Sequence, residues 1–506
     1  MNKQTLLRRL TLTVLLASVL SETGVKGQAQ GMSESQNSNS NKKGVNVEES
    51  SLNGQDRVNE DDIDIEIDNH QDEFNLAQKI MLKLNEKGNI NPKLSLKNLG
   101  GGERGLFATE DIRAGEVIGK IHVTDLFVPS KSKLSFEDQL QAIRSKIVYW
   151  ETTRMVLCIY EEMAKGESSK WADFFKIMPK SYENVGFGLD FNKYSRFLKG
   201  TYLKQVLSDT RYYMSQDFNT VKGLGISQLS DLTENRFLEI VCLISSRAIG
   251  INIDGKYESI LAPFVDLLNH RSDATSDWVF DEESESFYMY TNITQYKGEE
   301  VAISYGAEKS NFDLLRAYGF VIQNPQKKSF TFFEGLYETD PMYEAKLDVY
   351  PSIKGKFYMY EVDNHYDSHR FFEYLSLLRF KVLDTQEEMD TVLEIKESLG
   401  DSPDSVYKLH SISRRNELKM LDYLRKACEK KLGSYDTTLE GDKRALKEGD
   451  FIDFIEKNIL TVRIEERLML QEMILFSQSM KFILESGENY GTYLKTAKID
   501  KLLLNY

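Results

Sequence analysis

The chain has 506 residues, 41% of them hydrophobic and 28% charged, which is enough for two or three domains and a large buried core. Its 64 Lys plus Arg stand against 79 Asp plus Glu, and a net charge of −15 argues against gripping a nucleic-acid backbone as the main work. Cys158, Cys242 and Cys428 are too far apart for a disulfide scaffold or a cysteine-held zinc, and 8 prolines with 31 glycines set aside a collagenous or largely disordered chain.

At the N-terminus, Lys3, Arg8 and Arg9 precede an apolar run from Leu10 to Leu20, with no acid before Glu22. Residues 1–27 therefore read as a targeting leader, either secretory or organellar (plastid or mitochondrial); an ordinary N-terminal helix in a cytoplasmic or nuclear protein is the alternative. No other segment is apolar enough over about 20 residues to span a bilayer, so no membrane insertion is expected after leader removal. Residues 28–75 are rich in Ser, Asn, Gln and Gly, then acidic from Asp56 to Glu73, and read as a disordered linker. Folded sequence is expected from Leu76, with a short amphipathic helix at Leu76, Ile80, Met81 and Leu84.

Residues 94–128 carry strand and hairpin signals, with Gly100, Gly101, Gly102, Gly105 and Gly115 punctuating short apolar runs such as Val117 to Ile121 and Leu126 to Val128. Residues 136–250 change to helical spacing, as at Phe237, Ile240, Val241 and Ile244. Strands return over 257–305, most clearly at Phe287 to Thr291 and Val301 to Tyr305. From about Ser368 the chain is expected to be helical, with Leu418, Leu421, Leu424, Cys428 and Leu432 on one face and Leu468, Leu475 and Phe482 seven apart.

Gly100, Gly102 and Gly105 match G-x-G-x-x-G, and Asp125 lies 20 residues further on. A dinucleotide site needs a helix directly after the third glycine, and here two short strands are expected instead. The lysine and the Asp-Phe-Gly of a kinase are also missing. The six histidines are scattered, and no metal site is expected.

Two segments carry chemistry. The first runs from Leu261 to Asn269 and His270; the second runs Val301-Ala302-Ile303-Ser304-Tyr305-Gly306, then Lys309-Ser310-Asn311, and ends at Tyr318-Gly319-Phe320. Each places polar side chains after an apolar strand-like run, where a rigid core holds them. Singly these residues read as turn caps and strand ends. Preceded by Gly102-Glu103-Arg104-Gly105-Leu106-Phe107-Ala108 and by Ser246-Arg247, they have the order and spacing of a SET domain. The chain resembles the subgroup containing plant Rubisco large-subunit lysine methyltransferase and the actin-histidine methyltransferases. Asn416-Glu417 and the stretch from Leu432 to Leu446, with Tyr435, Asp436, Thr437, Thr438 and Asp442, resemble that subgroup's substrate-binding domain.

The resemblance implies an α+β architecture: a β-rich SET fold over 76–322 with a pseudoknot and a helical insertion at about 131–235, followed by an all-α domain over 323–506. It implies S-adenosylmethionine as cofactor and transfer of its methyl group to a lysine of a non-histone protein docked on both domains. No nucleic-acid partner is expected, in line with the net charge, and the enzyme is expected to be a monomer. By the same resemblance Gly102, Glu103, Arg104, Arg247, Asn269, His270 and Tyr305 hold the cofactor, with Tyr305 also catalytic. Ser246, Asp266, Tyr318 and Phe320 line the substrate channel. In two places the chain departs from its relatives, with Gly102 where an acid is common and Arg104 where an apolar residue is common. A histidine-directed enzyme and an inactive SET-fold interaction module are the alternatives.

Overall fold

The protein is described by a computed structural model over residues 60–486, apart from 101–102, 180, 254, 307–308, 326, 354–356, 364–368 and 401–402. The leader, the linker up to residue 59 and Gly102 lie outside the described residues. Helix α1 spans Glu60–Glu86, so the acidic end of the expected linker is helical rather than unstructured. The segment has no proline or glycine, its acids sit toward the N-terminal end where the helix dipole favours them, and Ala77, Ile80 and Leu84 bury one face. Lys79 and Lys83 then pin the helix to Asp173 at 3.1 and 2.6 Å. The amphipathic helix expected at Leu76, Ile80, Met81 and Leu84 is therefore present, and it extends back through the acidic residues to Glu60.

Strands β1 (Leu94–Gly100) and β2 (Glu103–Ala108) form an antiparallel hairpin, with Asn98 opposite Arg104 and Leu94 opposite Ala108. No helix follows the glycines, which disposes of the dinucleotide motif. β3 (Val117–His122) leads into the insertion helices α2 (Glu137–Ala142), α3 (Trp150–Ala164), α4 (Ala172–Lys176), α5 (Ser195–Leu198), α6 (Tyr202–Lys222) and α7 (Glu234–Arg247). The strand expected at Leu126 to Val128 reduces to a bridge between Phe127 and Leu261. The hairpin β4 (Ile249–Ile253) and β5 (Lys256–Ile260) comes next, then β6 (Ser276–Asp281), β7 (Ser286–Thr291) and the two-residue β8 (Glu300–Val301). These make two small sheets, β1-β2-β8 and β3-β7-β6, beside the β4-β5 hairpin.

Helix α8 (Asn311–Tyr318) closes this part, and the remainder is helical except for one hairpin. That hairpin pairs β9 (Ser329–Gly335) with β10 (Phe357–Asp363), on either side of α9 (Tyr343–Val349), where the all-α expectation allowed no strands. Alternating aromatic and branched residues, as in Phe330-Thr331-Phe332, suit a pleated surface better than a helix. The helices α10 (His369–Val382), α11 (Gln386–Leu399), α12 (Arg414–Leu432), α13 (Leu439–Glu448) and α14 (Phe454–Glu485) complete the chain. No helix among the described residues is long and apolar enough to cross a membrane.

The 32-residue α14 joins the two halves. Ile459, Leu460, Val462 and Ile464 lie in the core of the strand-rich part, whereas Met469, Leu470, Met473 and Met480 lie in the core of the helical part. On α12, Leu421, Leu424 and Cys428 are buried as their spacing requires. On α14 the expected stripe fails: Leu475 and Phe482 are 61% and 72% exposed. A seven-residue spacing marks one face of a helix without saying which face packs, and here the neighbouring face faces inward.

Buried charges lock this junction. Asp442 on α13 binds Arg463 Nε at 2.9 Å and Arg467 Nη1 at 2.6 Å, while Arg463 Nη1 donates to the carbonyls of Phe197 and Lys199 in the insertion. Replacing Asp442 by Ala leaves two desolvated guanidiniums without their shared acid. Urea unfolding of Asp442→Ala should show a loss of about 3–5 kcal/mol; wild-type stability would mean that the network contributes nothing to the junction.

Candidate functional site

The site begins at the end of α7. Thr233 caps this helix by accepting from the Arg236 amide, Phe237, Ile240, Val241 and Ile244 bury its inner face, and the chain turns extended at Ala248. Ser246 and Arg247 are thereby delivered to the rim of a cleft. The Ser246 hydroxyl donates back to the Cys242 carbonyl at 2.9 Å, so it lines the cleft with its hydrogen already committed. Arg247 Nη1 meets Asp266 Oδ1 at 2.6 Å. Burial works against the Arg247 charge, but Asp266 outweighs it and the guanidinium is held more firmly protonated than usual. Arg247 Nε and Asp266 Oδ2 are buried without hydrogen-bond partners.

The two chemistry-bearing segments run side by side. Ile303 N donates to the Asn269 carbonyl and Arg271 N to the Ile303 carbonyl, both at 3.0 Å, with a parallel bridge between His270 and Ile303. Asn269 Nδ2 spends its donors on the Arg104 carbonyl at 2.7 Å and Glu300 Oε1 at 2.8 Å, fastening β2 to both segments. Gly105 permits that approach, since a Cβ there would stand 2.5 Å from Glu300 Oε1. Glu103 on the same strand is exposed.

Tyr305 stands where these elements meet. Its amide donates to His270 Nδ1 and its hydroxyl to the Leu268 carbonyl, each at 3.0 Å. Burial first, and then the Asp266 charge, push its phenol up to about 12. It stacks on Tyr318 with ring centres 4.8 Å apart, and Phe320 meets Tyr305 edge-on at 6.3 Å and lies 5.7 Å from His270. Helix α8 sets Tyr318 through a Ser310–Asp313 capping box, and Gly319 ends it in the left-handed region at φ 84°.

Tyr305, Tyr318, Arg247, Asp266 and Ser246 thus share one cleft, with His270, Phe320, Asn269 and the Arg104 backbone packed behind it. Trp278, Ile249, Gly250 and Lys309 also line it. Tyr182, from the insertion, places its buried hydroxyl near Arg247 but short of hydrogen-bond geometry. Nothing in the sequence around Tyr182 signalled this, because the loop that carries it meets α7 only in three dimensions. Lys309 was visible within Lys309-Ser310-Asn311.

A family model described as "SET domain" matches residues 103–306, and one described as "Rubisco LSMT substrate-binding" matches residues 338–470. The chain carries a SET domain followed by a Rubisco LSMT substrate-binding domain. It is 26% identical over 339 residues to the chloroplastic [fructose-bisphosphate aldolase]-lysine N-methyltransferase of Arabidopsis thaliana, spanning 64% of this chain and 68% of that one. It is 25% identical to the chloroplastic Rubisco large-subunit N-methyltransferase of Pisum sativum, over 76% and 78% of the two chains. A solved structure of the SET domain of LSMT bound to lysine and AdoHcy matches with a TM-score of 0.66 at 24% identity, covering 83% of this chain and 95% of that one. That likeness establishes the SET fold expected from the motifs.

The unpartnered atoms of the SET cleft suit S-adenosylmethionine. Arg247 Nε is a donor for a carboxylate, and His270, whose Nδ1 accepts from Tyr305, has a buried Nε2 left for a polar edge. Burial, with Lys309 adding to it, lowers the His270 pKa and keeps the ring neutral. A depressed histidine stabilises the fold fully above the ordinary value of about 6.5, and the contribution is lost as pH falls through the lower folded value. An NMR titration of the His270 ring should have its midpoint below about 6.5. A midpoint above that value would contradict the neutral, accepting imidazole.

Proposed function

We propose that this chain is an S-adenosylmethionine-dependent protein-lysine N-methyltransferase acting on a non-histone protein. The observation that carries the reading is the cleft in which the Arg247–Asp266 pair meets the stacked rings of Tyr305 and Tyr318. Relatives named for aldolase and for Rubisco act on different proteins, so neither substrate transfers to this chain.

Bound S-adenosylmethionine supplies an activated methyl group on its sulfonium. The residues of this chain then have three tasks. Arg247, with Asn269, His270 and the backbone of 102–104, holds the cofactor. Ser246, Asp266, Tyr318 and Phe320 border the path of the incoming side chain. That path is aromatic and desolvated, so a lysine entering it gives up its proton to water and arrives as the neutral amine. The same aromatic faces stabilise the methylated cation that forms. The Tyr305 hydroxyl keeps its proton and donates a hydrogen bond to the Leu268 carbonyl, which leaves its oxygen as an acceptor for the donor methyl group.

Lysine is preferred to histidine because the stretch from Tyr305 to Asn311 keeps the form Tyr-Gly-x-x-Lys-Ser-Asn, and a flexible stem suits a narrow channel. In the same reading residues 76–322 and 323–506 are the two domains of a monomer and residues 1–27 direct it to an organelle. The two named relatives are chloroplastic.

Calorimetry on residues 60–506 should show S-adenosylmethionine binding that is unchanged by a chelator; no binding under either condition removes the enzyme reading. Tyr305→Phe should keep that affinity while lowering methyl transfer by about 10²-fold, the usual cost of one hydrogen-bonding group at a reacting centre. Unchanged turnover would move the chemistry away from Tyr305.

A further inference from the structure

Helix α8, which carries Tyr318, is held at both ends by one side of α14. At its start Asn311 is fully buried, and its side chain makes three hydrogen bonds: Nδ2 donates to the Ile322 carbonyl at 3.0 Å and to Glu465 Oε1 at 2.9 Å, and Oδ1 accepts from the Ile322 amide at 2.8 Å. At its end the Gly319 carbonyl accepts from Asn458 Nδ2 at 3.4 Å. Asn458 and Glu465 lie seven residues apart, and so stand about two turns from each other on the same side of α14.

A side-chain amide sets a donor beside an acceptor, and can therefore pair with both backbone groups of one residue. Asn311 uses this to draw Ile322 back to the first turn of α8, closing a loop that contains Tyr318 and Phe320. Those are the rings packed on Tyr305 at 4.8 and 6.3 Å. The loop has little room to shift: a Cβ on Gly319 would stand 2.7 Å from the Asn184 carbonyl oxygen, and one on Gly186 would stand 2.6 Å from that of Arg316. The third hydrogen bond of Asn311 goes to Glu465, where α14 passes from one core to the other, Ile464 lying in the first and Met469 in the second. Neither Asn311 nor Glu465 lines the cleft.

We propose that Asn311 and Glu465 are positioning residues for methyl transfer: through their hydrogen bond α14 fixes the wall made by Tyr318 and Phe320 against Tyr305, and so sets the geometry in which the incoming amine meets the methyl group. This rests on the methyltransferase reading and adds to it a contact made from outside the cleft, by a residue within the stretch matched to the substrate-binding domain.

The test uses the full chain at about pH 8, above the value of about 7 to which burial pushes the Glu465 carboxyl. It follows methyl label passed from S-adenosylmethionine to a lysate of the source organism, and the fluorine resonance of fluorotyrosine placed at Tyr318. Rates are taken per folded molecule from urea unfolding, so that a change in stability alone does not count. Glu465→Leu and Glu465→Ala should each lower transfer by about tenfold, the scale of one hydrogen bond to a charged group, with the fluorine resonance moved and the calorimetric affinity for S-adenosylmethionine unchanged. Glu465→Gln, which keeps an acceptor for Asn311, should recover most of the rate and return the resonance toward its wild-type position. Wild-type transfer in both apolar variants would overturn the proposal, as would a loss of transfer with the resonance unmoved, or one matched by an equal loss of cofactor affinity. No transfer by the wild type would instead remove the enzyme reading and this catalytic role with it, while the resonance would still report whether Glu465 holds Tyr318 in place.

Discussion

The ion pair between Arg247 and Asp266 is the constraint on which the cleft depends. It joins the last turn of a helix to the short turn at Val265–Leu267, and those two elements meet nowhere in sequence. Removing one partner of such a desolvated pair ordinarily costs about 3–5 kcal/mol, because the other charge is left buried alone. The pair is tolerated because the surrounding core is already rigid: Ile240, Val241, Leu267 and Leu268 are all essentially inaccessible to water. Its unused atoms, Arg247 Nε and Asp266 Oδ2, remain as the polar points of an otherwise apolar and aromatic space. Together with the stacked tyrosines beside them, these atoms give the cleft the few polar points that orient a ligand in an apolar pocket.

The helical part reaches the same cleft from behind. Glu465 on α14 accepts from Asn311 at 2.9 Å, and Asn311 opens the helix that presents Tyr318 to Tyr305. Burial pushes the Glu465 carboxyl up to about 7, the sign of a group held away from water at an interface. Because one half of α14 lies in each core, the tyrosine stack and the substrate-binding domain are parts of one packed object.

Much of this was legible in the sequence. The glycines around 100–105 announced a hairpin, the 3.6-residue spacing announced α7, and the two segments ending in His270 and Tyr305 announced the site. Those signals are local, or are motifs whose order along the chain is diagnostic. What the sequence concealed depends on encounters in space. The Arg247–Asp266 pair joins two residues that had been given different ligands, and Tyr182 meets Arg247 from a distant loop. Asn269 also has a part the motif did not show, its side-chain nitrogen tying the Arg104 carbonyl to Glu300. The acidic start of α1 was misread because charge density imitates disorder, and the stripe at Leu475 and Phe482 because a helical period does not name the face that packs.

Transfer of isotopically labelled methyl from S-adenosylmethionine to a lysate of the source organism, with the labelled position located by mass spectrometry, tests the central claim most directly. Label should appear on the side-chain nitrogen of a lysine in a non-histone protein, and its rate of appearance should fall by about 10²-fold when wild type is replaced by Tyr305→Phe. Label confined to histidine would contradict the lysine assignment, and no label from an enzyme that binds the cofactor would contradict catalysis itself.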